Sequence, residues 1–409
     1  MEPKRLKPFR DAMKAAAEAV MSDPGREIAV VHHNDTDGIA SGAILRRALT
    51  RAGFAVENLP IERVHPAFLP AIHTHRRRII LYADLGGQAA GSIAGHIRKG
   101  SRVIILDHHM PGAGKTPGLL QVNPELFGID GDRECAAASA VCFFSLALDS
   151  ANEDLAVLAV LGAEGDHQMT DGRGEGLNAL LLETALQRGD LRPAEIPNGG
   201  GWRFPRLEDR SLREANEWII SLAVNGYYRR GAELALDLCL NGPDNRIRAF
   251  AEEMAGIREN RFGEELNRIG RTGVARTGDI SWVDVESRFF PLGLKAIGLF
   301  CEELIRTGAA GEEDYVVGFQ RFPEDNPYLG RFPGRETKAS FRVTTALRRR
   351  IESGEKPDLM ALVPDAVRRV GGFAEACHRY SAACTIPEER KAELVGLLAA
   401  ETAKSSALP

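Results

Sequence analysis

The chain has 409 residues, 44% hydrophobic and 27% charged, the make-up of a globular protein of two or three domains and not of a disordered tract. Its net charge of −5 argues modestly against a surface built to grip long nucleic acid, so any strong polyanion contact must be local. No apolar run approaches the roughly 20 residues that cross a bilayer; residues 1–5 lead into a helical pattern with internal charges, and cysteines 135, 142, 239, 301, 377 and 384 show no CxxC spacing, so no membrane partner and a cytoplasmic location are expected.

In chain order, residues 4–21 carry an amphipathic helical pattern, 27–33 a strand and 38–51 a helix. A second β/α unit follows at 78–84 and 88–98, then a third strand at 102–107. Apolar strands alternating with helices predict an α/β fold with a parallel sheet. After a Gly/Pro loop at 111–124, helices are expected at 135–148, 154–165 and 176–188. The stretch 189–205, with Asn198-Gly-Gly-Gly201, reads as a loop or hinge, and 211–270 as helical. Strands return at 280–285, 315–319, 338–343 and 381–386, with helices at 291–306, 358–370 and 387–404. This predicts an N-terminal parallel-sheet domain at 1–190, a helical connector at 191–270 and a smaller C-terminal α/β domain at 271–409, with no internal repeat.

Four clusters carry the chemistry: His33-Asn-Asp35-Thr-Asp37-Gly38, Asp84, Asp107-His108-His109 and Asp166. Three of them follow or sit within apolar strand patterns. Acids and imidazoles at the ends of parallel strands converge on one crevice, and such oxygen-rich donors suit Mn²⁺ or Mg²⁺. Alternate residues of an extended segment point the same way, so His33, Asp35 and Asp37 could face one cavity, although Asn34 and Asp37 also fit a turn and a helix cap. Asp84 is the candidate bridge between two cations, or an acid capping the next helix. His108 could bind metal and His109 could donate to a phosphate oxygen, with Asp107 holding an imidazole tautomer. Asp166 could close the metal shell, with Glu164, His167 and Asp171 as rivals for that place. Together these features predict a two-metal phosphoester hydrolase.

The Asp-His-His triplet, with His-x-Asp-x-Asp-Gly upstream, resembles the DHH phosphoesterase superfamily, whose RecJ-like members pair a DHH domain with a smaller C-terminal DHH-associated domain. The resemblance implies metal ligands His33, Asp35, Asp37, Asp84, His108 and Asp166 for two divalent cations, Mn²⁺ or Mg²⁺. It implies that His109 contacts the scissile phosphate with Asp107 in support. Some members carry the first histidine two positions upstream, where this chain has Val31. Lys338-Ala-Ser340-Phe-Arg342 resembles the family's Lys-x-Ser-x-Arg strand, and the segment around His378 its Gly-Gly-His-x-x-Ala-Ala-Gly loop, which implies substrate contacts from Lys338, Ser340, Arg342 and His378. Here Ala376, Cys377 and Ala383 replace the loop's glycines, which would otherwise let backbone amides approach a phosphate. The segment also reads as a packed strand-turn-strand.

The implied function is a RecJ-like, Mn²⁺-dependent exonuclease acting on single-stranded nucleic acid or short oligonucleotides held in a cleft between the domains. A small-substrate phosphatase acting on a nucleoside bisphosphate or polyphosphate, and a non-catalytic replication-complex subunit, are the alternatives. A homodimer is left open. Gly112-Ala-Gly114-Lys115-Thr116 imitates a phosphate loop but has His109 where the Walker pattern needs glycine. Arg348–Arg350 and Arg368-Arg369 read as solvated helix faces.

Overall fold

The computed structural model describes residues 5–74, 76–112, 116–196, 199–312 and 314–405; residues 113–115 of the phosphate-loop imitation lie outside them. The chain divides into two compact units, residues 1–252 with 327–329, and residues 253–326 with 330–409.

The first unit opens with helix α1 (Leu6–Met21), strand β1 (Glu27–His33), helix α2 (Thr36–Arg51) and strand β2 (Ala55–Ile61). It continues with α3 (Leu69–Ile72), β3 (Ile79–Ala83), α4 (Ala90–Ala94), β4 (Arg102–Leu106) and β5 (Leu119–Val122). The five strands are parallel in the order β2-β1-β3-β4-β5. Alternate side chains of the central strands enter two different cores. Ile28, Val30, Leu81, Ile104 and Leu106 join one that includes α1 and α2, while Ala29, Val31, Ile80, Tyr82 and Ile105 join one that includes α3 and α4. Burial on both faces is why these strands read as continuous apolar runs. The strand order reverses direction between β1 and β3, and in open parallel sheets ligands bind outside the carboxyl ends of the strands at that point.

Helices α5 (Ala137–Leu148), α6 (Ala156–Gly165) and α7 (Gly176–Gln187) follow, at or near the positions expected. The stretch read as a loop or hinge is instead a small antiparallel sheet of β6 (Arg192–Ile196), β7 (Gly199–Phe204) and β8 (Arg210–Ser211). Side-chain anchoring overrides the glycine signal there: Phe204 is buried and the Trp202 indole donates to the Gly172 carbonyl at 2.6 Å. Helix α8 (Leu212–Ile219) runs into a π-helical turn (Ile220–Asn225), followed by α9 (Gly231–Asn241) and α10 (Asn245–Thr272). The sequence pattern misses β2, an edge strand containing Pro60, and β5, which lies in the segment read as a Gly/Pro loop. It also overextends the helix at 88–98, of which α4 covers only a short part.

The second unit holds β9 (Ala275–Thr277), β10 (Ile280–Asp284), α11 (Ala296–Arg306), β11 (Tyr315–Arg321), β12 (Asp325–Asn326), β13 (Gly330–Arg331), β14 (Glu336–Val343), α12 (Thr345–Glu352), α13 (Leu359–Arg369), β15 (Phe373–Cys377), β16 (Ser381–Pro387) and α14 (Lys391–Ser405). Its main sheet runs β15-β16-β14-β11-β10-β9, with only β10 and β11 parallel. Tyr315, Val317, Phe319, Phe341 and Ile386 pack in one core with residues of α12, α13 and α14. The fold is therefore mixed α/β, as the alternation of patterns predicts.

Candidate metal centre

Three strand ends, the start of α2 and the end of α6 supply the site. His33 ends β1, and its Nδ1 lies 3.0 Å from Asp35 Oδ2 and 3.3 Å from Asp84 Oδ2. Asp35 caps α2, its Oδ1 accepting the Gly38 N–H at 3.0 Å. Glycine is required at position 38 because a Cβ there would lie 2.4 Å from the His33 Cβ. Helix α2 begins two residues earlier than its pattern suggests, so Asp37 sits in the first turn and not on an extended segment with His33 and Asp35. The turn aims Asp37 at the start of α5, where the N–H groups of Ala137 and Ala138 donate to its two oxygens at 2.7 and 2.8 Å. A helix N-terminus favours a negative group in this way.

Asp84 follows β3 with a left-handed φ of 61°, its N–H bound to the Leu106 carbonyl. Aspartate adopts that conformation more readily than most L-residues, though it still costs energy. Here it brings a buried carboxylate to the centre of the cluster. Oδ1 is 3.4 Å from His108 Nε2 and 4.0 Å from His109 Nδ1. These are charge contacts: neither Asp84 oxygen accepts a hydrogen bond, and His108 Nε2 makes none either. His108 Nε2 also lies 3.1 Å from Asp166 Oδ2 and 4.0 Å from Asp37 Oδ2.

Asp107, just past β4, faces inward. Its Oδ2 accepts the Gly87 N–H at 2.7 Å, and its Oδ1 accepts His109 Nδ1–H at 2.8 Å and the His108 N–H at 2.9 Å. Asp166 stands just past the end of α6. Among the described residues, its rivals Glu164, His167 and Asp171 do not join the clustered donors. Asp37, Asp84, His108 and Asp166 bring one donor atom each to within 4.8 Å of one another, as do Asp84, His108 and His109, and also His33, Asp35 and Asp84. Asp84 belongs to all three groups.

The charges are mutually frustrated. Burial, then the neighbouring Asp84 and Asp166, push the Asp37 carboxyl well above its usual range. Burial and Asp35 push Asp84 up as well. Burial opposes charge on His108, but Asp166 and Asp84 outweigh it and raise the imidazole well above its usual value. Burial likewise opposes charge on Asp107, yet His109, His108 and the Gly87 amide hold its carboxyl down at about 2. Buried oxygens and a buried ring nitrogen without hydrogen bonds are costly unless a positive partner satisfies them. This donor set, rich in carboxylate with a few imidazoles, fits hard divalent cations such as Mn²⁺ or Mg²⁺.

One buried polar group near the loop after β1 in the fold escapes the sequence reading. Asn225, at the end of the π-helical turn, is buried with neither amide atom hydrogen-bonded. That turn abuts the loop after β1, because Asn34 Nδ2 donates to the Ala223 carbonyl at 3.2 Å. Its only sequence signal is an asparagine inside a helical pattern, and π-turns often mark functional sites.

In the second unit, Lys338, Ser340 and Arg342 alternate along β14 and share one face of the strand. Lys338 is buried, and its Nζ is 2.7 Å from Glu375 Oε2 on β15. Arg342 Nε donates to Glu302 at 2.7 Å. The register sets Arg342 opposite Ser381, and the His378 N–H donates to the Ser381 carbonyl at 2.8 Å. The segment that resembles a glycine loop is thus strand, tight turn and strand.

Residues 27–162 match the DHH family, N-terminal domain. The chain therefore carries a region similar to that N-terminal domain. An uncharacterized protein of Methanocaldococcus jannaschii is 33% identical over 189 residues, a match that spans 45% of this chain and 42% of that relative. The crystal structure of exonuclease RecJ bound to manganese superposes with a TM-score of 0.61 at 18% identity, covering 98% of this chain and 95% of that one. RecJ in complex with Mn²⁺ from Thermus thermophilus gives 0.64 at 19%, covering 100% of this chain and 56% of that one. At these identities the likeness to the solved structures is one of fold. No helix among the described residues is long and apolar enough to cross a membrane.

Proposed function

We propose that this protein is a metal-dependent phosphoesterase that hydrolyses phosphodiester bonds of single-stranded nucleic acid or short oligonucleotides, as a RecJ-like exonuclease. The observation that carries the reading is Asp84: a buried carboxylate without hydrogen bonds, with His33 and Asp35 on one side and His108, Asp37 and Asp166 on the other. His33, Asp35, Asp37, Asp84, His108 and Asp166 would hold two divalent cations, with Asp84 shared between them. Such cations neutralise developing phosphoryl charge and make water nucleophilic near neutral pH. Against the cost of burial, Asp107 holds His109 by Nδ1 and favours its protonated form, so His109 would meet a phosphoryl oxygen through Nε2–H and stabilise charge as it builds. The filled acid and imidazole positions disfavour a purely non-catalytic subunit.

Chelator-treated protein given Mn²⁺ should hydrolyse a bis-nitrophenyl phosphodiester and shorten labelled single strands. No turnover together with no Mn²⁺ uptake would sink the reading. Activity confined to strands below about five nucleotides would assign the site to small substrates, since a short strand makes few backbone contacts.

Lys338, Ser340, Arg342 and His378 are the proposed substrate-contacting groups of the second unit. Glu375 already neutralises Lys338, so an arriving phosphate competes with a buried carboxylate. Glu375→Gln should therefore tighten inhibition by inorganic phosphate, by about tenfold for one removed repulsive charge. Unchanged inhibition would place Lys338 outside the phosphate's reach.

A further inference from the structure

The geometry points to Gln168 and Asn178 as positioning residues that hold His108 through the backbone carbonyl of Gly131. Its functional consequence rests on the metal-centre reading above; its geometry does not. A ligating imidazole binds best when its second nitrogen is tied to an acceptor, because the tie fixes ring rotation and leaves the other nitrogen for the cation. In this chain the acceptor is the Gly131 carbonyl, 2.7 Å from His108 Nδ1.

That carbonyl is itself held. Gln168 Nε2–H donates to it at 2.9 Å, taking its second lone pair. Gln168 Oε1 accepts from Asn178 Nδ2 at 2.7 Å, and Asn178 Oδ1 accepts from the Ser139 hydroxyl at 2.6 Å and the Ala136 N–H at 3.1 Å. Gln168, Asn178 and Ser139 are all buried. On its other side, the Gly131 N–H donates to Glu125 at 2.6 Å. Only glycine permits this approach, since a Cβ at position 131 would lie 2.2 Å from the His108 carbonyl oxygen.

Gln168 lies two residues beyond Asp166, whose carboxylate meets His108 Nε2 at 3.1 Å. One turn of chain therefore acts on both nitrogens of the ring, directly on Nε2 through Asp166 and by way of Gly131 on Nδ1. A chain of side-chain amides that only packed α7 against α5 would not need to end on the carbonyl that holds His108.

The test compares wild type with Gln168→Met and with Gln168→Glu, which keeps the length and the acceptor for Asn178 but removes the donor. On chelator-treated full-length protein, Mn²⁺ affinity by calorimetry should fall about ten- to a hundredfold in either variant, while the melting temperature of the metal-free protein changes by only a few degrees. In a His108→Asn background the Gln168→Met change should lose its effect, as coupled residues do in a double-mutant cycle. Affinity within about twofold of wild type, or an undiminished effect without His108, overturns the proposal. If wild type itself takes up no Mn²⁺, the metal reading fails separately. The positioning is then judged on the metal-free protein by solvent exchange of the His108 Nδ1 proton, assigned by its loss in His108→Asn. Exchange about tenfold faster in Gln168→Met supports the role, and equal exchange overturns it.

Discussion

Asp84→Asn should remove uptake of the second cation and lower phosphodiester hydrolysis by at least about 10³-fold, while metal-free Asp84→Asn melts no lower than metal-free wild type. Both halves follow from one fact. Asp84 is buried and contributes a donor to each of the three clustered groups, yet neither of its oxygens accepts a hydrogen bond. Its charge is a liability to the empty fold, because burial and Asp35 both disfavour it, and it becomes useful only when cations arrive. An ordinary structural carboxylate behaves oppositely: its removal would lower the melting temperature and leave metal uptake intact. Calorimetric Mn²⁺ titration and thermal melts of both proteins separate the two cases. Two-ion uptake with retained turnover in Asp84→Asn would remove the basis for the bridging role.

Mn²⁺ should stabilise the protein strongly at pH 8 and much less at pH 6. Asp37 and Asp84 have raised carboxyl values in the fold, and His108 a raised imidazole value. For each, the folded value exceeds the unfolded one. Their contribution to metal-free stability is thus complete below the ordinary value and is lost as pH rises through the raised one. Asp107 and Asp166 shift the other way, so their contribution is lost only as pH falls through their depressed values. The raised groups therefore keep their protons in the metal-free fold above their ordinary values. Cation binding needs these ligands deprotonated, so it must release protons and strengthen as pH rises. At a hundredfold excess over its dissociation constant, a bound ligand stabilises by about 2.7 kcal/mol. Thermal melts with and without Mn²⁺ at the two pH values provide the check, and an equal or larger shift at pH 6 would contradict the protonation logic.

Much of the N-terminal unit is legible from pattern. β1, β3 and β4 are buried on both faces, and a strand of that kind must be apolar throughout, so 28–31, 79–82 and 103–106 stand out. β2 and β5 do not, because edge strands tolerate Pro60 and polar residues such as Glu57 and Gln121. The strands at 192–196, 199–204 and 210–211 are hidden for a different reason: glycines that suggest a hinge are accepted in a strand when Phe204 and Trp202 anchor it. The start of α2 is misplaced by two residues, and that small error changes the geometry. Asp37 belongs to a helical turn facing α5, a placement that alternation along an extended segment cannot give.

The amino-acid order alone determined the chemical inventory: an acid or imidazole at the end of each central strand, the Asp-His-His triplet, and the likeness to one phosphoesterase superfamily. That is possible because strand burial and donor chemistry are written locally, over a few residues. Tertiary structure alone decided that Asp84 is common to three donor groups, that Glu375 neutralises Lys338, and that a glycine carbonyl under a buried amide chain grips His108. Those arrangements join residues far apart in the chain, such as His108 with Gly131 and Asp84 with Asp166, and they depend on backbone atoms and burial, which carry no signature in residue type.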